Sequence, residues 1–125
     1  MQHLAIDTHA KDEILDITAA VAETIRGDGM CTVFAAHTTC AITTADLDPG
    51  TDRDYIEAFR KLLPAIHFRH PHDPAHTPDH ILATMIGPSV SVPVQSGRLL
   101  LGVWQRIILV EFDGPRRRDV YVRLS

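Results

Sequence analysis

The sequence predicts an α+β fold, a single compact domain over residues 1–125 that is largely antiparallel and sandwich-like, with two to three helices. Three observations carry this. β-branched residues cluster in short runs bounded by turn residues. Helical periodicity is confined to the first two thirds of the chain. The last strands follow one another with no helix between them, which parallel crossovers would require. The length fits one domain with a real core, and the 45% hydrophobic and 22% charged content is ordinary globular usage.

Each element follows from local pattern. Residues 2 to 9 alternate weakly, with Leu4, Ile6 and Thr8 on one face, and predict a first strand. In KDEILDITAAVAETIRGDG, Ile14, Ile17, Val21 and Ile25 recur at helical spacing, and Gly27 is a natural stop. CTVFAAH (31 to 37) and CAITTA (40 to 45) read as strands, and Asp46 to Thr51 as a turn. A second helix has Thr51 as its cap, Asp52 and Asp54 at its positive end, and an apolar stripe of Ile56, Phe59, Leu62 and Leu63 running up to Pro64.

Pro64 to Pro78 holds four Pro and four His and reads as a loop. A short third helix has Thr77 as cap and Pro78 at its first position, carries Ile81, Leu82, Met85 and Ile86, and ends at Gly87-Pro88. Three strands close the chain: SVSVPV, a Ser96-Gly97 turn, the long run RLLLGVWQRIILVEF, then DVYVRL. Gly102 reads as a bulge in the long run and Asp113-Gly114 as a hairpin turn.

Charge and composition exclude several functions. Twelve cations against sixteen anions leave a net charge of −4, which supplies no positive field for a phosphate backbone and argues against nucleic acid. No stretch approaches the about 20 apolar residues of a membrane helix, and the opening residues lack a cationic segment followed by an apolar one. The expectation is a soluble, cytoplasmic protein with no membrane partner. Cys31 and Cys40 have no CxxC spacing and read as reduced core thiols.

Histidine is the outlier: five of the eight fall between His67 and His80. Imidazole is the commonest neutral metal ligand, and a site needs about three such donors. In His70-Pro71-His72 the residue before proline is pushed toward extended backbone, where i and i+2 project to one side. His80 falls in the first turn of the third helix, where the helix dipole disfavours imidazolium. His37 ends a buried-looking strand. The bland alternative is that the loop histidines, His67, His72 and His76 among them, are solvated polar residues and that His37 is a hydrogen-bonded core residue.

Weaker candidates lie elsewhere. By a period of two, Gln105, Glu111 and Asp113 share one face of the long strand, as a pocket lining, a subunit contact or a solvent face. Asp46, Asp48, Asp52 and Asp54 offer oxygen donors but read equally as a turn and a helix start. Arg116 to Arg118 have the chemistry to grip phosphate, or simply to keep a hairpin soluble.

HTTCAIT (37 to 43), His70 and His80, GPSVSVPV (87 to 94) and GRLLLGVWQRIILVEFDGPR (97 to 116) together resemble the YjbQ family, also called the secondary thiamine-phosphate synthase family. The resemblance spans nearly the whole chain. It implies a YjbQ-like α+β homotrimer with histidine-lined sites near subunit interfaces, holding a divalent metal ion, zinc or another transition metal. It implies a small phosphorylated ligand, and the joining of hydroxymethylpyrimidine pyrophosphate to thiazole phosphate with release of pyrophosphate. Matched residue by residue, it assigns His37, His70 and His80 as metal ligands, with Gln105, Glu111 and Arg116 lining or supporting the site. Where many members carry Asn-Glu-Asn after the HTT strand, this chain has Thr44-Ala45-Asp46-Leu47, and its loop from 70 to 80 is richer in histidine.

Overall fold

Inward valines at every second position explain the larger sheet. In the computed structural model, which describes every residue except His72, β8 (Arg117–Leu124) buries Arg118, Val120 and Val122 and turns the residues between them outward. β8 pairs with β1 (Gln2–Asp7) on one side and β3 (Gly29–Ala35) on the other, and β3 pairs with β5 (Ser89–Gln95), which pairs with β6 (Arg98–Leu99). All these pairings are antiparallel. A second sheet places β7 (Arg106–Glu111) between β2 (Glu13–Asp16) and β4 (Cys40–Ala45).

The sheets face each other across a core of Cys31, Val33, Val92, Val120 and Val122 on one side and Cys40, Ile42, Ile107 and Leu109 on the other. The second sheet is therefore a middle layer. Its far face, Ala41, Ile108, Val110 and the following Phe112, is covered by Leu82 and Ala83 of α3 (Thr77–Ile86) and by Ile56 and Phe59 of α2 (Thr51–Lys61). A strand buried on both faces must be apolar throughout, and RIILVE is nearly so. The α+β class, the mostly antiparallel sheets and three helices agree with the sequence reading.

Several local expectations are corrected. Residues 11 to 29 are not one helix: Ile14 and Leu15 pair with Val110 and Leu109 in β2, and only α1 (Thr18–Ala22) is helical. Ile17, Val21 and Ile25 are buried as expected, so a helical spacing of core residues arose from a strand followed by a short helix. The long run 98 to 112 is two strands in different sheets, and Gly102 begins the turn between them, its carbonyl accepting from the Gln105 N–H at 3.0 Å. Asp113-Gly114 is a crossover between sheets, not a hairpin. α2 is capped by Gly50 in the left-handed region (φ 88°), not by the Thr51 side chain, and Thr77 lies inside α3, preceded by a 3-10 turn over Pro74–His76. The Ser96-Gly97 turn stands, with φ of 53° and 75°.

No helix of the described residues is long and apolar enough to cross a membrane.

Candidate functional site: imidazoles around the HTT turn

The chain leaves β3 at Ala35 and enters β4 at Cys40, so residues 36 to 39 form a turn between the two sheets. The backbone of that turn is used up on neighbours. Ala36 N–H donates to the Asp119 carbonyl at 3.2 Å, and the Thr39 carbonyl accepts from Phe112 N–H at 3.1 Å. His37 is held between them. Its Nε2 accepts the Asp119 N–H at 2.7 Å, which fixes the proton of the neutral ring on Nδ1. Burial, reinforced by the positive Arg118, pushes the His37 pKa down, although Asp119 and Glu111 pull the other way. His37 is thus a neutral ring with an N–H to offer, lining a cleft of about 230 Å³ with Thr38, Cys40, Ala83, Thr84 and Pro88.

α3 brings His80 to the same turn. Its Nδ1 lies 3.1 Å from the Thr38 carbonyl, which only accepts, so in the neutral ring Nδ1 carries the proton and Nε2 a lone pair. Thr84, one helical turn on, donates to the His80 carbonyl at 2.8 Å. His70 stacks on His80 with ring centroids 5.1 Å apart and planes 13° from parallel, and its Nδ1 accepts the Asp73 N–H at 3.1 Å. His76 meets His70 edge-on at 6.4 Å and faces the Asp73 carboxylate at 3.4 Å.

The helix that carries His80 is clamped by its neighbour Asp79. This carboxylate is 1% exposed and receives Arg60 Nη1 of α2 at 2.7 Å and Lys11 Nζ at 2.8 Å. Arg60 also reaches Asp12 and lies 5.3 Å over the Phe112 ring. Sequence reading missed Asp79 and Arg60, and also Asp119. An Asp in a first helical turn reads as a dipole partner, and nothing in the sequence ties it to an Arg nineteen residues earlier.

His37, His70 and His80 thus gather around one turn, but not as a ligand set. The lone pairs of His37 Nε2 and His70 Nδ1 already accept backbone N–H groups, and stacked rings aim their in-plane nitrogens side by side rather than at one point. Among the described residues no three His, Cys, Asp or Glu side chains are placed to hold a metal ion. The pairing of His70 with His72 lies outside the described residues. Asp52 and Asp54 sit in the first turn of α2.

The other three candidates do not line the cleft, although Glu111 pairs across the sheet with Cys40, which does. Glu111 is fully buried and spends its oxygens on Thr8 Oγ1 at 2.7 Å, Arg118 and the backbone N–H groups of Phe112 and Asp113. Burial alone would raise its pKa, yet the hydrogen bonds from Arg118 and Thr8 hold it below the ordinary carboxylate value. Arg116 folds back on Asp113 at 3.0 Å. The three arginines form no patch, because Arg118 points into the core while Arg117 points out. The polar face read from Gln105, Glu111 and Asp113 dissolves as well, since Ile107 and Leu109 on that face are core and Gln105 precedes the strand.

Together the two-sheet architecture and the HTT turn braced by α3 define a class of small α+β domains, and comparison with known proteins makes the class specific. The family model described as UPF0047 protein YjbQ-like matches residues 2–125, and the chain belongs to the YjbQ/UPF0047 family. A UPF0047 protein of Archaeoglobus fulgidus is 40% identical over 96% of this chain and 97% of its own. YugU of Bacillus subtilis is 36% identical over 99% and 98%. The crystal structure of an uncharacterized conserved YjbQ/UPF0047 protein from Clostridium acetobutylicum superposes with a TM-score of 0.90 at 34% identity, covering all of both chains. A conserved hypothetical protein of Thermus thermophilus gives 0.90 at 31% identity, again with full coverage.

These findings correct the functional expectation. The matching relatives carry only the family designation, and nothing in them points to thiamine-phosphate synthase activity. With no metal-holding group among the described residues either, the reading of the chain as a metal-binding thiamine-phosphate synthase is overturned.

Proposed function

We propose that this chain is a small-ligand-binding domain whose site is the cleft at the HTT turn, with His37 Nδ1–H as hydrogen-bond donor and His80 Nε2 as acceptor. The observation that carries this is the His80 to Thr38 hydrogen bond, which ties His80 to the residue after His37 and leaves the Nε2 lone pair of its neutral ring free, while His37 keeps an N–H on Nδ1. A donor on His37, in the turn, and an acceptor on His80, bonded to the carbonyl of that same turn, suit a group that has both an O–H and a negatively polarised oxygen. A singly protonated phosphate monoester is such a group. The cleft, at about 230 Å³, is smaller than the pockets that enclose drug-sized ligands and suits one oxyanion group. His80 Nε2 then also serves as a base toward the bound O–H.

The homotrimer implied by the family resemblance belongs to the same proposal. It is supported by the uncovered outer face of the five-stranded sheet, where Met1, Phe34 and Tyr121 line a groove of about 540 Å³.

Methyl phosphate and methyl sulfate test the site. At a pH near 6, about half of the phosphate monoester carries a proton, whereas the sulfate ester has no O–H to offer His80. Titrations followed by imidazole nitrogen NMR are expected to shift His37 and His80 saturably with methyl phosphate only. Equal responses to both esters, or a methyl phosphate response that persists in H80A, would overturn the reading.

A further inference from the structure

A second cavity lies away from the imidazoles, where the turn between β6 and β7 passes the end of β4. It measures about 410 Å³ and is lined by Thr44, Ala45, Asp46, Gly102, Trp104 and Gln105, with Val103 at its rim. Trp104 is 71% exposed, and among the described residues no other ring and no cation packs against it. An indole this exposed on a mobile loop would carry little meaning, but this turn is built. The Gln105 side chain accepts the Gly102 N–H at 3.0 Å and donates to Thr44 Oγ1 at 3.0 Å, and the Gln105 N–H returns to the Gly102 carbonyl. The opposite wall is fixed as well, because Tyr55 of α2 donates its O–H to the Asp46 carbonyl at 2.9 Å. The Asp46 carboxylate itself meets no cation and no hydrogen-bond donor among the described residues. None of the cavity's lining residues is Lys or Arg.

We infer that this cavity binds a small organic cation, of the quaternary-ammonium or alkylguanidinium class, between the Trp104 indole and the Asp46 carboxylate. Each wall contributes a distinct recognition. The face of an indole attracts a cation through its quadrupole, more strongly than any other aromatic side chain, and it accepts the methyl groups that surround a quaternary nitrogen. Asp46 lines the same cavity and supplies the counter-charge. The backbone of both walls is held by hydrogen bonds before any ligand arrives, which limits the ordering needed on binding to the two side chains. Anions are rejected by Asp46, which separates this site from the oxyanion cleft in charge as well as in place.

The chain contains a single Trp, so its fluorescence reports on this cavity alone. Choline is the probe, and 3,3-dimethyl-1-butanol, the same shape without the charge, is the control. The expected result is a saturable change in Trp104 emission with choline and no matching change with the neutral isostere. D46N should bind choline up to about fivefold more weakly, the loss expected when one partly exposed charge contact is removed. For W104A, calorimetry replaces fluorescence and a loss of at least about tenfold is expected. H37A and H80A should leave the choline titration unchanged, so failure here and failure of the oxyanion site are told apart. Equal responses to choline and its isostere, or an undiminished affinity in D46N, would overturn the inference. So would an emission that follows protein concentration and ignores choline, since a second copy would then fill the cavity.

Discussion

Glu111 and Arg118 form a buried ion pair between the two sheets: Glu111 ends β7 in the middle layer, Arg118 lies in β8 of the outer sheet, and they are 0% and 1% exposed. Arg118 Nη2 also donates to Thr39 Oγ1 at 2.8 Å, and Thr8 donates to Glu111 at 2.7 Å. The pair therefore ties the strand before the crossover, the strand after it, the HTT turn and the end of β1 to one another. Removing one partner strands a buried charge, which typically costs about 3–5 kcal/mol. R118L is expected to lose that much in urea unfolding. The double variant E111L/R118L should recover part of it, because no uncompensated charge remains.

The same carboxylate sets an acid limit. Its pKa is held below the ordinary value of 4.5 in the folded chain, so the unfolded state takes up its proton first as pH falls. Stability from this group is complete above about 4.5 and is lost as pH drops through the folded value. Acid titration of wild type against E111Q should show a steeper loss below pH 4.5 in wild type. Parallel curves would remove Glu111 from the account.

His37 acts in a higher window with the same sign. Its folded pKa lies below the ordinary 6.5, so between the two values the unfolded chain binds more protons and stability rises with pH. The contribution is complete above 6.5 and declines as pH falls toward the folded value. H37Q keeps an oxygen to accept the Asp119 N–H and removes the titration. The difference in unfolding free energy between wild type and H37Q is expected to change between about pH 7 and pH 5 and to be flat above it.

Much of this was legible in the sequence because it depends on local chemistry. The α+β class followed from strand runs without crossover helices, and the turn at Ser96-Gly97 and the stop at Gly87 followed from their dihedral needs. The neighbourhood of His37, His70 and His80 was also expected, through the family resemblance rather than through spacing. Three things were not legible. Ile14, Ile17, Val21 and Ile25 carry a helical period even though Ile14 sits in a strand, because the period records burial and burial was served by two elements. The crossing of residues 100 to 105 between sheets is marked only by Gly102 and the polar Gln105-Arg106, which a bulge in one long strand explains equally well. Arg118 looked like its neighbours Arg116 and Arg117, since only the register of β8 turns it inward.

Cys40 provides a chemical readout of the core. Burial pushes its thiol up to about 11, outweighing the nearby Arg118, and Cys31 is raised for the same reason. Thiolate is the reactive form. Both cysteines should therefore resist an aromatic disulfide reagent at pH 8 in the native protein and react fully in denaturant. Fast native labelling of Cys40 would mean that the cleft it lines opens far more than the structure allows.

The last prediction concerns how α3 is held. Asp79 precedes His80 and is the point where Arg60 of α2 and Lys11 of the chain before β2 meet the helix. In D79N the shape remains but the charge is lost, and the two cations keep only a neutral acceptor. A charged hydrogen bond is worth about 1.5–3 kcal/mol, and Arg60 retains Asp12 as a second partner, so a loss of about 2 kcal/mol is expected in urea unfolding. The local effect should exceed the global one. With its first turn unclamped, α3 should exchange its amide hydrogens faster than β7, and the His80 imidazole signals should lose the fixed tautomer set by Thr38. If D79N lowers stability yet leaves the His80 signals unchanged, Asp79 supports the fold and not the geometry of the cleft. K11M then separates the two cations. Its side chain is 55% exposed against 27% for Arg60, so K11M should cost less than about 1 kcal/mol, and the His80 tautomer should survive it.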